Sequence, residues 1–245
     1  PSPFTMARDS LSQMQRRIGP LSEKEQTTPN EPRTVAHTKV TREDWLNVAR
    51  DILISDGVAE VKVLTIGARL DVSRSSFYWY FKSRADLLAQ LLAEWERSNT
   101  GIMISHCDMP AKTITAACNN FFRCIVDPDG FNHQLDFAVR EWARRDGKVR
   151  RVIDRSDTAR HEAIARMFIR YGYEPAEADI RARVLYYQQI GYYALELAET
   201  LEERLRRVRG NLYCFTGVHP SAEEVEEFTR FALSFADPTP KRPLS

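Results

Sequence analysis

The sequence of 245 residues is poor in several features that mark specialised classes of protein. It has only four cysteines, ten glycines and twelve prolines, which excludes a disulfide scaffold and a collagen-like repeat. Its net charge is only +1, so the overall charge favours neither an acidic nor a basic partner. It shows no run of about 18 uncharged apolar residues and no secretory signal, so we expect no membrane span. The length allows one large globular domain or a small domain joined to a larger one.

The few cysteines predict packed thiols rather than a chemical site. Cys107, Cys118, Cys124 and Cys214 form no CxxC pair, which favours reduced thiols in a cytoplasm. No pair has the spacing of a structural zinc site, and a redox sensor remains the alternative for these thiols. The chain also lacks a nucleophile elbow, a glycine-rich phosphate loop and paired catalytic carboxylates. We therefore expect no enzyme activity, no metal and no cofactor.

The pattern of apolar residues predicts an all-α fold between two polar ends. Residues 1–38 and 237–245 are polar and contain prolines, which predicts flexible N-terminal and C-terminal tails. Between them apolar residues recur at helical spacing, and no convincing strand alternation occurs. The pattern predicts about nine helices, at residues 41–56, 64–70, 74–80, 84–106, 110–127, 131–145, 148–171, 175–205 and 221–236.

The most informative stretch, residues 63–88, predicts two short helices around a tight turn. Asp71 can adopt the left-handed conformation that such a turn needs, and Ser73 is predicted to cap the second helix. Phe77 and Phe81 are four residues apart, so both should face a core and anchor that helix. Its other side then presents hydrogen-bonding groups on a short rod, which could enter the major groove of DNA.

Positive charge is concentrated around this second helix. Residues 62–84 contain five cations and one anion, whereas residues 39–97 contain nine of each. Local clustering of this kind favours contact with phosphates. A denser basic run at residues 140–170 has ten cations and five anions. Because its acids recur at helical spacing, we interpret that run as a solvated helix face.

The stretch from about Thr41 to Leu92 resembles the helix-turn-helix domain of the TetR (tetracycline-repressor-like) family of bacterial transcription regulators. Two positions depart from the family pattern, because Asp71 replaces a turn glycine and Val61-Lys62 leaves the first of the two helices without a hydroxyl cap. The motifs that carry the resemblance are Ile66-Gly67-Ala68, Val72-Ser73-Arg74, Phe77-Tyr78-Trp79-Tyr80-Phe81, Lys82-Ser83-Arg84 and Leu87-Leu88.

The resemblance implies a three-helix DNA-binding domain at residues 39–84 and a helical effector-binding and dimerisation domain at residues 85–236. It implies a cytoplasmic homodimer that binds a near-palindromic operator in double-stranded DNA. By family position, one group of residues would face bases or the groove: Arg74, Ser75, Ser76 and Trp79. A second group would contact phosphates: Tyr78, Lys82, Arg84 and, as a weaker candidate, Thr65. Tyr80 is predicted to pack inside the domain instead.

The second half of the chain is rich in aromatic and methionine side chains that could line an effector pocket, although each of them taken alone is more typical of a plain core. The unidentified effector is therefore expected to be a lipophilic or aromatic small molecule. The predicted pocket residues are Trp95, Met103, Phe121, Phe122, Phe137, Trp142, Met167, Phe168 and Tyr171.

The helices predicted at residues 175–205 and 221–236 carry wide apolar stripes. These stripes either face their own subunit or, as the resemblance implies, form a four-helix interface with the same two helices of a second subunit. The predicted interface residues are Val184, Tyr187, Gly191, Ala194, Leu195, Ala198, Val225, Phe228, Phe231 and Phe235.

The resemblance implies a repressor that a small-molecule effector releases from DNA, through a tilt of the helix that begins after Ser83. The alternative is a helical small-molecule-binding or scaffold protein whose DNA-binding domain is vestigial. The retained cluster of Arg74, Tyr78, Lys82 and Arg84 argues against that alternative.

Overall fold

The computed structural model describes residues 40–236, so the tails predicted at residues 1–38 and 237–245 lie outside the described residues. Within this range the chain is all-helical and has no strand, which confirms the predicted fold class. None of the described helices is long and apolar enough to cross a membrane. The helices are α1 (Arg42–Asp56), α2 (Val63–Arg69), α3 (Arg74–Phe77), α4 (Arg84–Trp95), α5 (Gly101–Asp108), α6 (Ile114–Val126), α7 (His133–Ala143), α8 (Gly147–Arg170), α9 (Pro175–Ala194), α10 (Leu201–Leu205), α11 (Val208–Thr216) and α12 (Ala222–Leu233).

Hydroxyl caps begin three of these helices, each with a carboxylate three residues after the hydroxyl in the sequence. The side chains of Thr41, Ser83 and Ser221 each accept a hydrogen bond from the backbone N–H three residues later. Asp44 and Glu224 complete the exchange by accepting from the backbone N–H of the capping residue. These bonds satisfy amides that have no partner inside the helix, which sets the starts of α1, α4 and α12.

The helix predicted at residues 175–205 is wrong, because α9 ends at Ala194 and two further helices follow. Glu196 adopts a left-handed conformation with φ of 49°, which a continuing helix does not allow. Thr200 and Glu203 then form a capping box that starts α10. The break lets the apolar residues of α11, such as Leu212 and Phe215, fold back into the core. Thr200 and Glu203 were the signal in the sequence that the prediction missed.

A π-helical turn, Glu96–Thr100, connects α4 directly to α5, so the two form the nearly continuous helix predicted at residues 84–106. Single π turns inside helices are often found at functional sites. This one buries Asn99 and Thr100, two polar residues that face the neighbouring helices α7 and α8. The turn therefore brings hydrogen-bonding groups into a junction between helices.

Two apolar cores stabilise the described chain. The first contains residues of α1, α2, α3 and α4 together with Leu135 and Val139 of α7 and Val149 of α8. The second lies among α5, α6, α8, α9, α11 and α12. The predicted division between residues 84 and 85 therefore falls inside one continuous core, because α4 and α7 pack directly against the three N-terminal helices.

Candidate nucleic-acid interface

The turn between α2 and α3 depends on two residues with unusual backbone requirements. Asp71 has φ of 53°, the left-handed conformation that the sequence predicts for it. The N–H of Val72 donates to the carbonyl of Gly67 at 3.0 Å and closes the turn. A Cβ at Gly67 would lie 3.2 Å from the carbonyl oxygen of Val72, so a glycine there lets α2 approach the turn closely.

Aromatic packing holds the inner side of α3. Phe77 and Phe81 are fully buried, as predicted, and their ring centroids lie 5.2 Å apart. Trp45 of α1 meets Phe77 edge-on, with 5.3 Å between centroids. The hydroxyl of Tyr80 donates to the carbonyl of Val40 at 2.7 Å, which confirms the packing role of this residue. These contacts fix the direction of a helix that is only four residues long.

The outer side of α3 and of the turn after it is open to solvent. The α-helix ends at Phe77 rather than at residue 80, and residues 78–80 continue as turns. The side chain of Trp79 is 74% exposed and that of Tyr78 is 50% exposed. Arg74 donates through Nη2 to the hydroxyl of Tyr78 at 3.1 Å, so these two side chains are ordered together. The surface thus offers an aromatic ring and ordered polar groups at one edge of the molecule.

Three serines add hydroxyl groups to this surface, but the predicted cap by Ser73 is wrong. The Ser73 hydroxyl accepts from no helix amide, because the hydroxyl of Ser75 is its partner at 2.8 Å. The hydroxyl of Ser76 donates to the backbone carbonyl of Ser73 at 2.8 Å. Ser76 is half-buried and Ser75 is exposed, so Ser75 is the more accessible of the two predicted base contacts.

The five cations of residues 62–84 differ in how far they are neutralised. Lys62 and Arg69 form ion pairs with neighbouring carboxylates at 2.9 Å and 3.2 Å. Arg74 and Lys82 make no ion pair with any described residue, and both are exposed. Positive charge available to a phosphate therefore lies on α3 and just after it.

Arg84 has a role that the sequence did not show. Its Nε and Nη2 donate to the carbonyls of Val61 and Val58, at 2.6 Å and 2.5 Å. The guanidinium therefore holds the loop that leads into α2, and two of its donors are not free for a phosphate.

Thr65 is half-buried in α2. The N-cap residue of this helix, Lys62, forms no side-chain cap, as the absence of a hydroxyl there predicts.

A buried charged cluster lies where α4, α7 and α8 meet. Asp136 and Arg160 are fully buried, and Arg160 Nη2 lies 3.0 Å from Asp136 Oδ1. Arg140 donates to the other oxygen of Asp136 at 2.8 Å, and the indole N–H of Trp95 donates to Oδ1 at 3.1 Å. Burial alone would raise the pKa of Asp136, but the two arginines outweigh it and lower that pKa. The carboxylate is thus charged inside the protein.

The same cluster reaches the π turn and α9. Arg160 donates through Nε to the hydroxyl of Thr100 at 2.9 Å and through Nη1 to the hydroxyl of Tyr186 at 3.2 Å. Tyr186 donates in turn to Asp157 at 2.7 Å, and burial raises the pKa of its phenol to about 12. The buried charged cluster therefore connects the C-terminal end of α4 to α9 through a chain of hydrogen bonds.

This cluster also revises the interpretation of the basic run at residues 140–170. Arg144 and Arg150 lie on the solvated face, in ion pairs with carboxylates of their own helices. Arg140 and Arg160 instead point inward to Asp136, which periodicity could not show because a buried arginine looks like a surface one in sequence.

Three of the four cysteines are packed as the sequence predicts. All four cysteines are free, and Cys107, Cys118 and Cys124 are buried. Burial raises the pKa of the Cys107 thiol to about 12, so it is not a reactive thiolate. Cys214 differs from the other three because it is exposed. Among residues 40–236 no group of three metal-ligating side chains occurs.

The nine residues predicted to line one effector pocket are divided between the two cores. Trp95 and Trp142 pack in the core shared with α1–α4, whereas Met103, Phe121, Met167 and Phe168 are buried in the core of the C-terminal helices. Phe137 and Tyr171 are half-buried. Phe122 is the member of this set that lines the cavity described below.

The residues predicted to form the dimer interface also separate into two groups. Phe228 is buried in its own subunit, and Val225 packs against the same core, so α12 turns these two inward. Exposed residues of the set are Val184, Tyr187, Ala194, Leu195, Ala198 and Phe235, with Gly191 and Phe231 half-buried. Leu195 and Ala198 follow the end of α9 instead of continuing its stripe.

We compared the sequence and the fold with those of known proteins. A family model described as bacterial regulatory proteins of the tetR family matches residues 46–91, whereas no curated protein sequence matches the chain. A transcriptional regulator (TerR/AcrR family) from Aquifex aeolicus VF5 is similar in structure, with a TM-score of 0.56 and 16% identity over 71% of this chain and 99% of that one.

Two further solved structures share the fold. A transcriptional regulator of the TetR/AcrR family has a TM-score of 0.52 and 17% identity, over 78% of this chain and 97% of that one. GusR of Salmonella enterica has a TM-score of 0.50 and 13% identity, over 79% of this chain and 93% of that one. Residues 46–91 therefore match the helix-turn-helix of the tetR family, and the chain has an all-helical fold like that of the TetR/AcrR structures.

Proposed function

We propose that this protein is a homodimeric repressor that binds a near-palindromic DNA operator and leaves it when a small-molecule effector binds. The observation that carries the proposal is the outer surface of α3. Phe77 and Phe81 anchor the helix from below, while Arg74, Tyr78 and Trp79 remain exposed above it. A rigid, polar and cationic helix at the edge of a molecule suits insertion into a major groove.

The exposure and the existing hydrogen bonds or ion pairs of each side chain decide which part of the DNA it contacts. Arg74, Ser75, Ser76 and Trp79 face the groove, where side chains discriminate base pairs. Lys82 and Tyr78 contact phosphates, because the ammonium of Lys82 has no ion-pair partner among the described residues. Thr65 stays a weaker candidate. Arg84 acts mainly through the loop before α2, which it holds by two hydrogen bonds.

The dimer forms through α9 and the C-terminal part of α12. Ile180, Val184 and Tyr187 are exposed and lie at helical spacing on one side of α9. Phe235, just after α12, is a further exposed apolar residue. An exposed apolar row of this kind is usually covered in a stable protein, and a second copy of the same surface would cover it symmetrically.

Release by an effector requires that the C-terminal helices act on α3, and α4 connects them. Leu87 and Leu91 of α4 lie in the same core as Phe77, and Trp95 at its other end donates to Asp136 in the buried charged cluster. An effector that binds better when α4 is tilted would change the spacing of the two recognition helices. Its differential affinity for the two states sets the size of the response, typically about 1–3 kcal/mol.

Selection of bound duplexes from a random DNA library by the purified full-length protein tests the proposal. We expect enrichment of two inverted half-sites whose centres are about 34–36 Å apart, or one helical turn. Genomic sites that match the selected motif would then be joined to a reporter gene, whose expression should rise when the protein is removed. A protein that enriches no sequence over random competitor DNA would contradict the proposal.

A further inference from the structure

A cavity of about 270 Å³ lies among α6, α9, α10, α11 and α12, away from the surface of α3. At roughly 30 Å³ for each water molecule in the liquid, this is room for about nine water-sized groups, which is the size of a small organic molecule. It is framed by the two helices, α10 and α11, that follow the unexpected break after α9. Exposed Gln188 and Leu197 lie at its edge, so the cavity is open to solvent on that side.

One wall of the cavity is apolar. Phe122 of α6, Leu212 of α11 and Phe228 of α12 line it, and Leu212 and Phe228 belong to the core of the C-terminal helices. The ring of Phe122 lies 6.5 Å from that of Phe228, measured between centroids. Such a surface favours the hydrocarbon part of a ligand, since water at an apolar wall is easily displaced.

A buried amide with a donor to spare also lines the cavity. Gln189 of α9 is 5% exposed, and its Nε2 makes no hydrogen bond of good geometry with a described residue; the hydroxyl of Tyr193 can engage at most one of its two N–H groups. A buried donor without an acceptor is destabilising, because it has lost its hydrogen bond to water. A ligand oxygen at this position would supply the missing acceptor.

Positive charge also lines the cavity. Arg204 of α10 lines the cavity with its guanidinium 5.0 Å from the ring centroid of Tyr192, and it forms no ion pair with a described carboxylate. The other two charged lining residues neutralise each other, because Arg207 Nη2 lies 2.5 Å from Glu199 Oε2. One uncompensated cation therefore faces the cavity, which favours an anion over a neutral molecule or a cation.

We propose that the cavity binds a small amphipathic monocarboxylate, of the alkyl or aryl kind. Its apolar body lies against Phe122, Leu212 and Phe228, and its carboxylate accepts hydrogen bonds from Gln189 Nε2 and Arg204. This narrows the expected lipophilic or aromatic effector to one that carries a single negative charge.

The position of the cavity also gives its ligand a route to the DNA-binding helices. Gln189 lies three residues after Tyr186 on α9, so the two side chains share one side of that helix. The hydroxyl of Tyr186 accepts a hydrogen bond from Arg160 of the buried charged cluster. Asp136 of the same cluster accepts one from Trp95 at the end of α4. The inference that the carboxylate is the effector rests on the proposed function, whereas its binding to the cavity does not.

Titration calorimetry of the full-length protein with octanoate and benzoate, and with 1-octanol and benzyl alcohol as neutral counterparts, tests the proposal. We expect saturable binding of at least one carboxylate, with affinity at least about tenfold above that of its alcohol, because hydrogen bonds to a charged group contribute more than neutral ones. Arg204→Met should weaken carboxylate binding about tenfold or more and leave alcohol binding within about twofold.

Two further variants separate binding from folding. Arg206→Met is the matched control, because Arg206 is exposed and does not line the cavity, and it should bind octanoate like the unmodified protein. Gln189→Leu should also weaken carboxylate binding while its melting temperature stays level or rises, because the unpartnered amide is removed. Lack of saturable binding to either carboxylate, or an equal loss in Arg204→Met and Arg206→Met, would overturn the proposal.

The effector role is measured separately, by the affinity for the selected operator with and without the bound carboxylate. Binding that leaves operator affinity unchanged keeps the site but contradicts its role as the effector site. A protein that binds octanoate and no operator would contradict the proposed function and leave the ligand class intact.

Discussion

Lys82 and Arg84 are two residues apart and carry the same charge, yet their surroundings give them different tasks. The ammonium of Lys82 is exposed with no described ion-pair partner, whereas Arg84 donates to two backbone carbonyls. A residue on phosphate releases counterions when it binds, so its contribution depends on salt. A residue that holds a loop contributes to the free energy of folding at any salt concentration.

We predict that Lys82→Ala lowers affinity for every duplex and reduces the slope of log affinity against log salt by about 0.9, the loss of one phosphate contact. Arg84→Ala should leave that slope nearly unchanged and lower the free energy of unfolding by about 1–2 kcal/mol. Fluorescence anisotropy across a salt series and urea unfolding measure the two effects. Lys62→Ala serves as control, because Lys62 is already paired with Glu60. An unchanged slope in Lys82→Ala would remove its assignment to phosphate.

Asp136 is the residue on which the buried charged cluster depends. Its removal leaves the fully buried Arg160 without its close carboxylate, because Asp157 pairs with Arg140 at 2.6 Å and lies 4.0 Å from Arg160. We predict that Asp136→Asn lowers the free energy of unfolding by about 3–5 kcal/mol near neutral pH. Asp154→Asn breaks an exposed pair with Arg150 and should lower it by less than about 1 kcal/mol. Equal losses in the two variants, measured by urea unfolding, would contradict the prediction.

The lowered pKa of Asp136 determines how the stability difference between the unmodified protein and Asp136→Asn depends on pH. A folded-state pKa below the ordinary value of 3.8 means that the carboxylate stabilises the fold fully above about pH 4–5. That stabilisation is lost as the pH falls through the folded-state pKa. We therefore predict that the difference in unfolding free energy between the unmodified protein and Asp136→Asn is constant from pH 5 to 7 and shrinks toward pH 3. A difference that grows on acidification would have the wrong sign.

At the scale of elements, α3 shows how a single helical turn can carry recognition. Four residues cannot form a stable helix alone, so Phe77, Phe81 and Trp45 supply its rigidity through packing. Gly67 and the left-handed Asp71 set the turn before it. The side chains on the outer side of α3 can therefore be substituted without disrupting the packing that holds the helix.

We predict that Arg74→Ala and Ser75→Ala both change which base pairs the protein prefers. For Arg74→Ala the preference should change by about 1–3 kcal/mol at one or two positions of the selected motif. Arg74→Ala also frees the hydroxyl of Tyr78, so Tyr78→Phe is the variant that separates the two side chains. Affinities for a set of operators with single base-pair changes give the measurement. A uniform loss across all of them would move Arg74 from base to phosphate contact.

On the scale of the whole molecule, DNA binding and dimerisation are expected to depend on each other. A single subunit presents one recognition helix, and two half-sites in successive major grooves need two. The row of Ile180, Val184 and Tyr187 on α9 is the surface that would bring two subunits together. Loss of the dimer should therefore appear as loss of operator affinity.

We predict that Val184→Glu shifts the protein to monomer in sedimentation experiments and weakens operator binding by at least tenfold, because a desolvated carboxylate opposes an apolar interface. Met109→Glu is the control, since Met109 is also an exposed apolar residue but lies after α5, outside this row. Its oligomeric state and operator affinity should stay unchanged. A Val184→Glu protein that remains dimeric would place the interface elsewhere.

Local signals in the sequence sufficed for the DNA-binding end of the molecule. Thr41 and Ser83, each followed three residues later by a carboxylate, mark the starts of α1 and α4. The spacing of Phe77 and Phe81 predicted the anchored helix, and Asp71 predicted the left-handed turn. Each of these depends on contacts within a few residues along the chain, where the side chain alone decides the outcome. The same locality explains why Thr200 and Glu203 could have revealed α10.

The sequence by itself therefore determined the class of fold, the helix-turn-helix and the inner side of α3, because those follow from short-range spacing. Tertiary structure alone decided that Arg84 holds a loop, that Arg160 is buried beside Asp136, and that Phe228 faces its own core. It also brought Gln189 and Arg204 to one cavity across the break after α9. These roles depend on partners distant in sequence, and a side chain's pattern along its own helix does not show which groups the fold places opposite it.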